Sequence, residues 1–266
     1  MDVAFEADPS LRWLFVFAHP DDELAICGWM RRIAQSGAAI SSCWMHSTEV
    51  RRAESLRVAE LIGLEPQSLT FLDAPDGRFI EVMPTLARGL ADVVREFSPD
   101  RLVVPAFEQG HLDHDATNWA AAQAFEGPRF EVPMYHPYTT RFPWMGRFAD
   151  PTGEQVFALD DELSVLKKRC ARCFPSQNIW RNIVCSEARD LVMFRAPSMA
   201  RIERLRKQTH FDFRTPNLPP DLRKRVEGSR PWARWIEAVD AAEGLAPQGA
   251  ATRSRTGPSV LADPDT

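Results

Sequence analysis

The strongest constraint on this chain is a regular alternation of short β-rich runs with amphipathic helical runs over its first two thirds. LRWLFVFA (11–18) reads as a buried strand, and ELAICGWMRRIAQSG (23–37) has helical periodicity closed by Gly37. AAISSCWMHS (38–47) is strand-like, and EVRRAESLRVAELIGL (49–64) reads as a helix with Leu56, Ala59 and Leu61 toward a core. SLTFLD (68–73), the helical TLARGLADVVREF (85–97), RLVVPA (101–106) and a helix beginning near Asp115 continue the pattern. This predicts an α/β class: a Rossmann-like, doubly wound, mostly parallel sheet with helices on both faces.

A chain of 266 residues, 44% hydrophobic, can bury one large core. The expected organisation is one main domain over 1–208, a C-terminal extension over 209–242 in which TPNLPPDLRKR is turn-forming, and a disordered tail over 243–266. A further helix is expected near 160–174. A net charge of −5 without a basic block argues against a nucleic-acid partner. No run is apolar enough for a membrane span, and MDVAFEADPSLRW lacks the features of a signal peptide, so the expected location is the cytoplasm. Five cysteines scattered over the chain do not suggest a disulfide framework. Cys170 and Cys173 form a lone CxxC in a helical stretch, where that spacing places two small apolar side chains on one buried face.

In a sheet of this kind ligands bind beyond the carboxyl ends of the strands. Two such ends carry unusual chemistry. FVFAHPDDELA (15–25) passes from an apolar run to His19, Pro20, Asp21, Asp22 and Glu23. A helix cap would explain Asp21 or Asp22, with Glu23 favourable in the first turn, but it leaves His19 unexplained. PAFEQGHLDHDAT (105–117) places His111, Asp113, His114 and Asp115 after a strand and before a helix. Two loops opening on one crevice can bring two imidazoles and a carboxylate to one point, which suits a catalytic metal site with an open coordination position. A dinucleotide does not suit it, because the first turn is acidic where a pyrophosphate needs glycines and free N–H groups.

AHPDDE together with GHLDHDA resembles the LmbE-like, PIG-L-type zinc-dependent N-deacetylase family. RRAESLRVAELIGL followed by LTFLDAPDG is similar to the family's arginine-bearing second helix and third strand, and KKRCARCFPSQN to its later helix ending in Ser-Gln. The resemblance implies that His19, Asp22 and His114 ligate the metal, Zn2+ or another divalent ion such as Fe2+. It implies Asp21 as general base and His111 as the group that stabilises the oxyanion or donates a proton. Leu112 stands where the family usually has proline, and Gln109 where it often has glycine or aspartate, so the floor of the site is expected to differ.

The residues support the same chemistry. A metal-bound water of lowered pKa attacks an amide carbonyl while Asp21 takes its proton, and the metal with a protonated His111 stabilises the oxyanion. Asp113 is expected to orient His111, to support His114, or to cap the helix. Arg51 and Arg52 are the candidate substrate-binding cations, set against a solvated helix face. Tyr135, His136, Tyr138 and Trp144 offer aromatic faces for a sugar ring or core packing, Ser176 and Gln177 either follow the family pattern or end a helix, and His46 and His210 are expected to be structural. The expected activity is hydrolysis of an N-acetyl group from a small N-acetylglucosamine-like amino-sugar conjugate. The alternatives are a non-haem iron oxygenase using two histidines and one aspartate, and a non-catalytic ligand-binding protein.

Overall fold

The computed structural model describes residues 4–140, 144–194 and 199–244, so the tail expected to be disordered lies outside the described residues from 245 onward. Strand β1 (Arg12–Phe17) is central. Trp13, Phe15 and Phe17 enter one core while Leu14 and Val16 enter the other. A strand covered on both faces has no polar side, which is why its sequence is an unbroken apolar run.

On one side of β1 lie β2 (Ala39–Trp44) and then β3 (Leu69–Phe71); on the other lie β4 (Arg101–Pro105) and β5 (Arg129–Val132). These five strands are mutually parallel. A short antiparallel hairpin of β6 (Tyr135–His136) and β7 (Trp144–Met145) follows. Strands β8 (Glu154–Ala158) and β9 (Ile202–Lys207) extend the sheet antiparallel beyond β5, giving the order β3-β2-β1-β4-β5-β9-β8. The mostly parallel, doubly wound sheet is therefore present, with an antiparallel edge.

Helices α1 (Cys27–Ser36), α2 (Glu49–Ile62) and α5 (Asp161–Ala171) cover one face through Trp29, Val58 and Leu163. Helices α3 (Met83–Phe97) and α4 (Leu112–Ala124) cover the other through Leu90 and Trp119. Helix α6 (Ile179–Val192) follows α5. The stretch TPNLPPDLRKR turns helical at α7 (Pro220–Glu227), and α8 (Arg230–Ala242) inserts Trp232 and Trp235 into the α3–α4 core. Among the described residues no helix is long and apolar enough to cross a membrane.

Helix α2 departs from the expected burial. Leu56 is exposed, Leu61 only half-buried, while Glu54 and Ser55 are buried. Both polar residues make long-range bonds: Glu54 accepts from the backbone N–H and hydroxyl of Ser176, and the Ser55 hydroxyl donates to Glu23. Cys170 is buried, Cys173 only half-buried, and all five cysteines are free thiols.

Candidate active site

The chain runs outward from β1 to β2 and β3, then returns to place β4 on the opposite side of β1. The loops leaving β1 and β4 consequently diverge at the switch point of the sheet, where open α/β folds form their crevices. His19, Asp21 and Asp22 come from the first loop, and His111, Asp113 and His114 from the second loop and the start of α4.

The β1 loop is held in a strained shape. Asp21 has φ 116°, a left-handed conformation that costs a non-glycine residue about 1–3 kcal/mol. Glu23 offsets this by accepting the Asp21 backbone N–H at 2.8 Å while also accepting from Trp44 Nε1 at 3.1 Å and Ser55 Oγ at 2.6 Å. Asp22 turns back, and its Oδ2 accepts the backbone N–H groups of Ala18 and His19 at 3.0 and 2.9 Å. Its other oxygen faces His114 Nε2 at 3.3 Å.

The donor atoms of His19, Asp22 and His114 all lie within 4.8 Å of one another. His114 is buried, and neither of its ring nitrogens has a hydrogen-bond partner. An imidazole left unbonded in the interior beside a carboxylate and a second imidazole is the arrangement that a divalent cation satisfies. Burial opposes ionisation of Asp22, yet His114 and His19 outweigh it and hold its carboxyl well below the usual range.

Asp113 does not take the roles expected for it. Its Oδ2 lies 3.0 Å from His19 Nε2 and accepts from Gly77 N at 2.7 Å, while Oδ1 accepts from Phe79 N at 3.1 Å. It therefore orients His19, not His111 or His114, and places the imidazole proton on Nε2, leaving the Nδ1 lone pair for a cation. Burial disfavours His19 protonation, but the Asp113 hydrogen bond and the charges of Asp22, Asp113 and Asp76 raise its pKa.

The cap of α4 is His111, whose Nδ1 accepts the Asp113 backbone N–H at 3.1 Å. Protonation at Nδ1 would break that bond. Burial, reinforced by His114, also lowers the His111 pKa to about 4. A ring whose Nδ1 accepts in this way carries its proton on Nε2, from which it can donate a hydrogen bond.

Asp21 shows the opposite displacement: burial and the Asp22 carboxylate raise its pKa well above the usual value, with Arg51 pulling it down. Arg51 Nη2 donates to Pro20 O at 2.7 Å and lies 3.2 Å from Asp21 Oδ1. Arg52 is elsewhere, its guanidinium over the Phe71 ring, because successive helix positions point apart. The site opens into a cleft of about 390 Å³, lined on its polar side by His19, Asp21, Asp22, Arg51, Asp76 and His111.

Two neighbours were not read from sequence. Asp76, on the loop after β3, lies 3.2 Å from His19 Nε2. His46, expected to be structural, follows β2 and packs its ring 6.1 Å from that of His19, with Nδ1 2.6 Å from Ala74 O. Their position beyond neighbouring strand ends is the only signal that would have found them.

Residues 14–125 match the family model of PIG-L, GlcNAc-PI de-N-acetylase. That segment is similar to the PIG-L family. No curated protein sequence matches the chain significantly. Its fold is that of several solved deacetylases. A triple mutant of a deacetylase from the teicoplanin biosynthetic pathway is 17% identical, with TM-score 0.58 over 76% of this chain and 99% of that one. The N,N'-diacetylchitobiose deacetylase of Pyrococcus horikoshii is 17% identical, with TM-score 0.53 over 78% and 87%. The zinc-inhibited form of teicoplanin deacetylase is 14% identical, with TM-score 0.53 over 75% and 100%.

The matched segment contains His19, Asp21, Asp22, His111, Asp113 and His114. The cleft wall also draws on residues outside it. Tyr135 sets its ring 5.1 Å from that of His114 and lines the cleft, whereas His136 and Tyr138 do not line it, and Trp144 lies under the Arg189 guanidinium. Gly110 makes this packing possible, since a Cβ there would stand 1.6 Å from Tyr135 O. Gln109 is fully buried beneath the loop instead of flooring the cleft. Gln177 lines the cleft, and Ser176 anchors to Glu54.

Proposed function

We propose that the chain is a divalent-cation-dependent N-deacetylase acting on the acetamide of a small amino-sugar conjugate. The observation that carries this reading is the buried His19, Asp22 and His114 group lying beside Asp21, a carboxyl made more basic by burial, at a cleft of about 390 Å³. The family's description and the names of the structural neighbours supply the reaction class and the amino sugar.

Two imidazoles and a carboxylate suit zinc, and Fe2+ accepts the same donors. When bound, such an ion supplies Lewis acidity toward water and a carbonyl oxygen. Asp21 takes the proton of the attacking water, and Arg51 holds Asp21 in position. His111 Nε2–H donates to the carbonyl oxygen as it gains negative charge. The C–N bond breaks, Asp21 returns the proton to the nitrogen, and acetate and a free amine result.

The test combines metal content with acetate release from N-acetylglucosamine conjugates. Wild type is expected to hold about one zinc per chain. Asp21→Asn keeps the metal but loses roughly 10²–10⁴-fold in turnover, and His114→Ala loses both. A wild-type protein that takes up no divalent ion after incubation with zinc would sink the proposal.

A further inference from the structure

The chain has two tyrosines, Tyr135 and Tyr138, at and just beyond β6. Their hydroxyls meet different surroundings. That of Tyr138 is enclosed in the interior without a hydrogen-bond partner, away from the cleft lining. Tyr135 lines the cleft, and its hydroxyl is not enclosed and makes no hydrogen bond among the described residues. A phenol held free in a reaction cleft is a donor available to a ligand.

The ring is held where it stands. Tyr135 pairs with Met145 across the β6–β7 hairpin, and the Tyr138 N–H donates to Gln109 O at 2.6 Å. Gly110 allows the close approach, because a Cβ there would stand 1.6 Å from Tyr135 O. The hairpin is thus fastened to the loop that carries His111 and His114. The rings of His111, His114 and Tyr135 form a triangle, with 5.5 Å between the two histidine centroids, 5.1 Å from Tyr135 to His114 and 6.3 Å from Tyr135 to His111. Burial, then the carboxylates of Asp22 and Asp21, push the Tyr135 pKa up, so the phenol end faces the reacting groups and its proton stays on oxygen.

The other donors of the cleft are already engaged. Arg51 serves Pro20 O and Asp21, and Lys167 serves Glu203 and Ala25 O. Arg204 donates to Gly146 O and pairs with Glu154, and Gln177 donates to Ser176. Besides the imidazoles of the metal group, the side-chain donors left without a partner among the described lining residues are His111 Nε2–H and the Tyr135 hydroxyl.

We infer that Tyr135 is a catalytic residue whose hydroxyl donates a hydrogen bond to the acetamide oxygen as that oxygen gains negative charge, sharing it with His111 Nε2–H. The inference rests on the reading of the site as an N-acetyl hydrolase and adds a donor from the hairpin, outside residues 14–125. The water oxygen joins the acetyl carbon, and the carbonyl electron pair moves onto oxygen, where the two donors meet it. When the C–N bond breaks, that pair restores the C=O bond and Asp21 passes the water's first proton to nitrogen. The second proton leaves the acid for the amine, giving acetate and an ammonium group, while Tyr135 keeps its own proton throughout. Losing one donor of this kind costs about 10²–10³-fold in turnover.

The experiment measures N-acetylglucosamine hydrolysis by zinc-loaded wild type, Tyr135→Phe and Tyr138→Phe. Tyr135→Phe is expected to lose about 10²-fold in kcat with KM, zinc content and Tm unchanged, because the ring stays and the hydroxyl holds nothing in the fold. Tyr138→Phe is expected to keep the wild-type kcat. With N-trifluoroacetylglucosamine, whose fluorines draw charge from the oxyanion, the Tyr135→Phe deficit should shrink. Full kcat in Tyr135→Phe overturns the inference and leaves the deacetylase reading standing, as does a loss in KM alone or a deficit equal for the two substrates. Calorimetric binding of the methylphosphonamidate of glucosamine, a tetrahedral anion, decides the matter if neither sugar is hydrolysed. Binding at least about tenfold weaker in Tyr135→Phe than in wild type supports the donor even if the reaction is wrong. Equal affinities, or no binding to wild type, overturn it.

Discussion

His19 Nε2 and Asp113 Oδ2 stand 3.0 Å apart across 94 residues of sequence, joining the loop after β1 to the start of α4. Both Asp113 oxygens are occupied, by His19, Gly77 and Phe79, so one carboxylate fixes an imidazole and the loop after β3 together. Asp113→Asn would set an amide N–H against either the His19 N–H or a backbone N–H. Zinc affinity is expected to fall about 10–100-fold with little change in fold, the usual cost of losing a partner that orients a metal-ligating histidine. Competition against a chromophoric chelator measures this; unchanged affinity would mean that Asp113 does not act through His19.

Strands β1 to β4 and the two loops were legible because each loop follows directly on an apolar run, so local sequence placed the histidines at strand ends; β5 (Arg129–Val132) was not read as a strand. The partnerships were not. Asp113 looked like a helix cap or a companion of its near neighbours His111 and His114, whereas its carboxylate's hydrogen-bond partners are residues 34 or more positions away. Strand β9 escaped because buried strands are read from apolar runs, and this one carries Glu203, Arg204 and Arg206 in the interior. Glu203 pairs with Lys167 and Arg206 with Glu131, compensation that no single segment displays. The same limit explains α2, where Glu54 and Ser55 are buried because Ser176 and Glu23 meet them.

Arg51 affects the acidity of Asp21. Burial and Asp22 raise the Asp21 pKa and Arg51 opposes them, so Arg51→Ala removes the opposing charge and raises it further. A base must be unprotonated to act, so the acid limb of kcat/KM is expected to move to higher pH, with activity lost more at pH 6 than at pH 8. Arg51→Lys should fall between the two. A uniform loss at all pH values would show instead that Arg51 serves only to bind substrate.

Glu23 supports the strained turn, and its removal should be felt as stability. Glu23→Ala strands the Asp21 N–H, Trp44 Nε1 and Ser55 Oγ, of which the last can turn to another acceptor. Buried donors without partners cost about 1–3 kcal/mol each, so an overall loss of about 3 kcal/mol is expected, or roughly 6–12 °C in Tm for a chain of this size. Glu23→Gln keeps an acceptor and should lose less. Thermal denaturation of both variants checks this, and a wild-type Tm in Glu23→Ala would contradict the role.

Glu108 lies beneath the second loop, almost fully buried, with its Oε1 accepting from Ala149 N at 2.8 Å and 3.5 Å from Arg206 Nη1. Arg206 is shared with Glu131, which it meets at 2.7 Å, and burial pushes the Glu108 pKa up to about 8 despite the guanidinium. The folded chain therefore keeps a proton that the unfolded chain releases near the ordinary value of 4.5. Below that pH both states are protonated and Glu108 adds no penalty; as pH rises toward about 8 the unfolded state is progressively favoured, and above it the penalty is constant. Glu108→Gln removes the titration while keeping an oxygen for Ala149 N–H. Its Tm relative to wild type is expected to climb between pH 5 and pH 8, by an amount equivalent to a few kcal/mol at most, about 1.4 kcal/mol per pKa unit being the upper bound. Melting curves for the two proteins at matched ionic strength decide it: a constant difference across that range would show that Glu108 stays ionised beside Arg206.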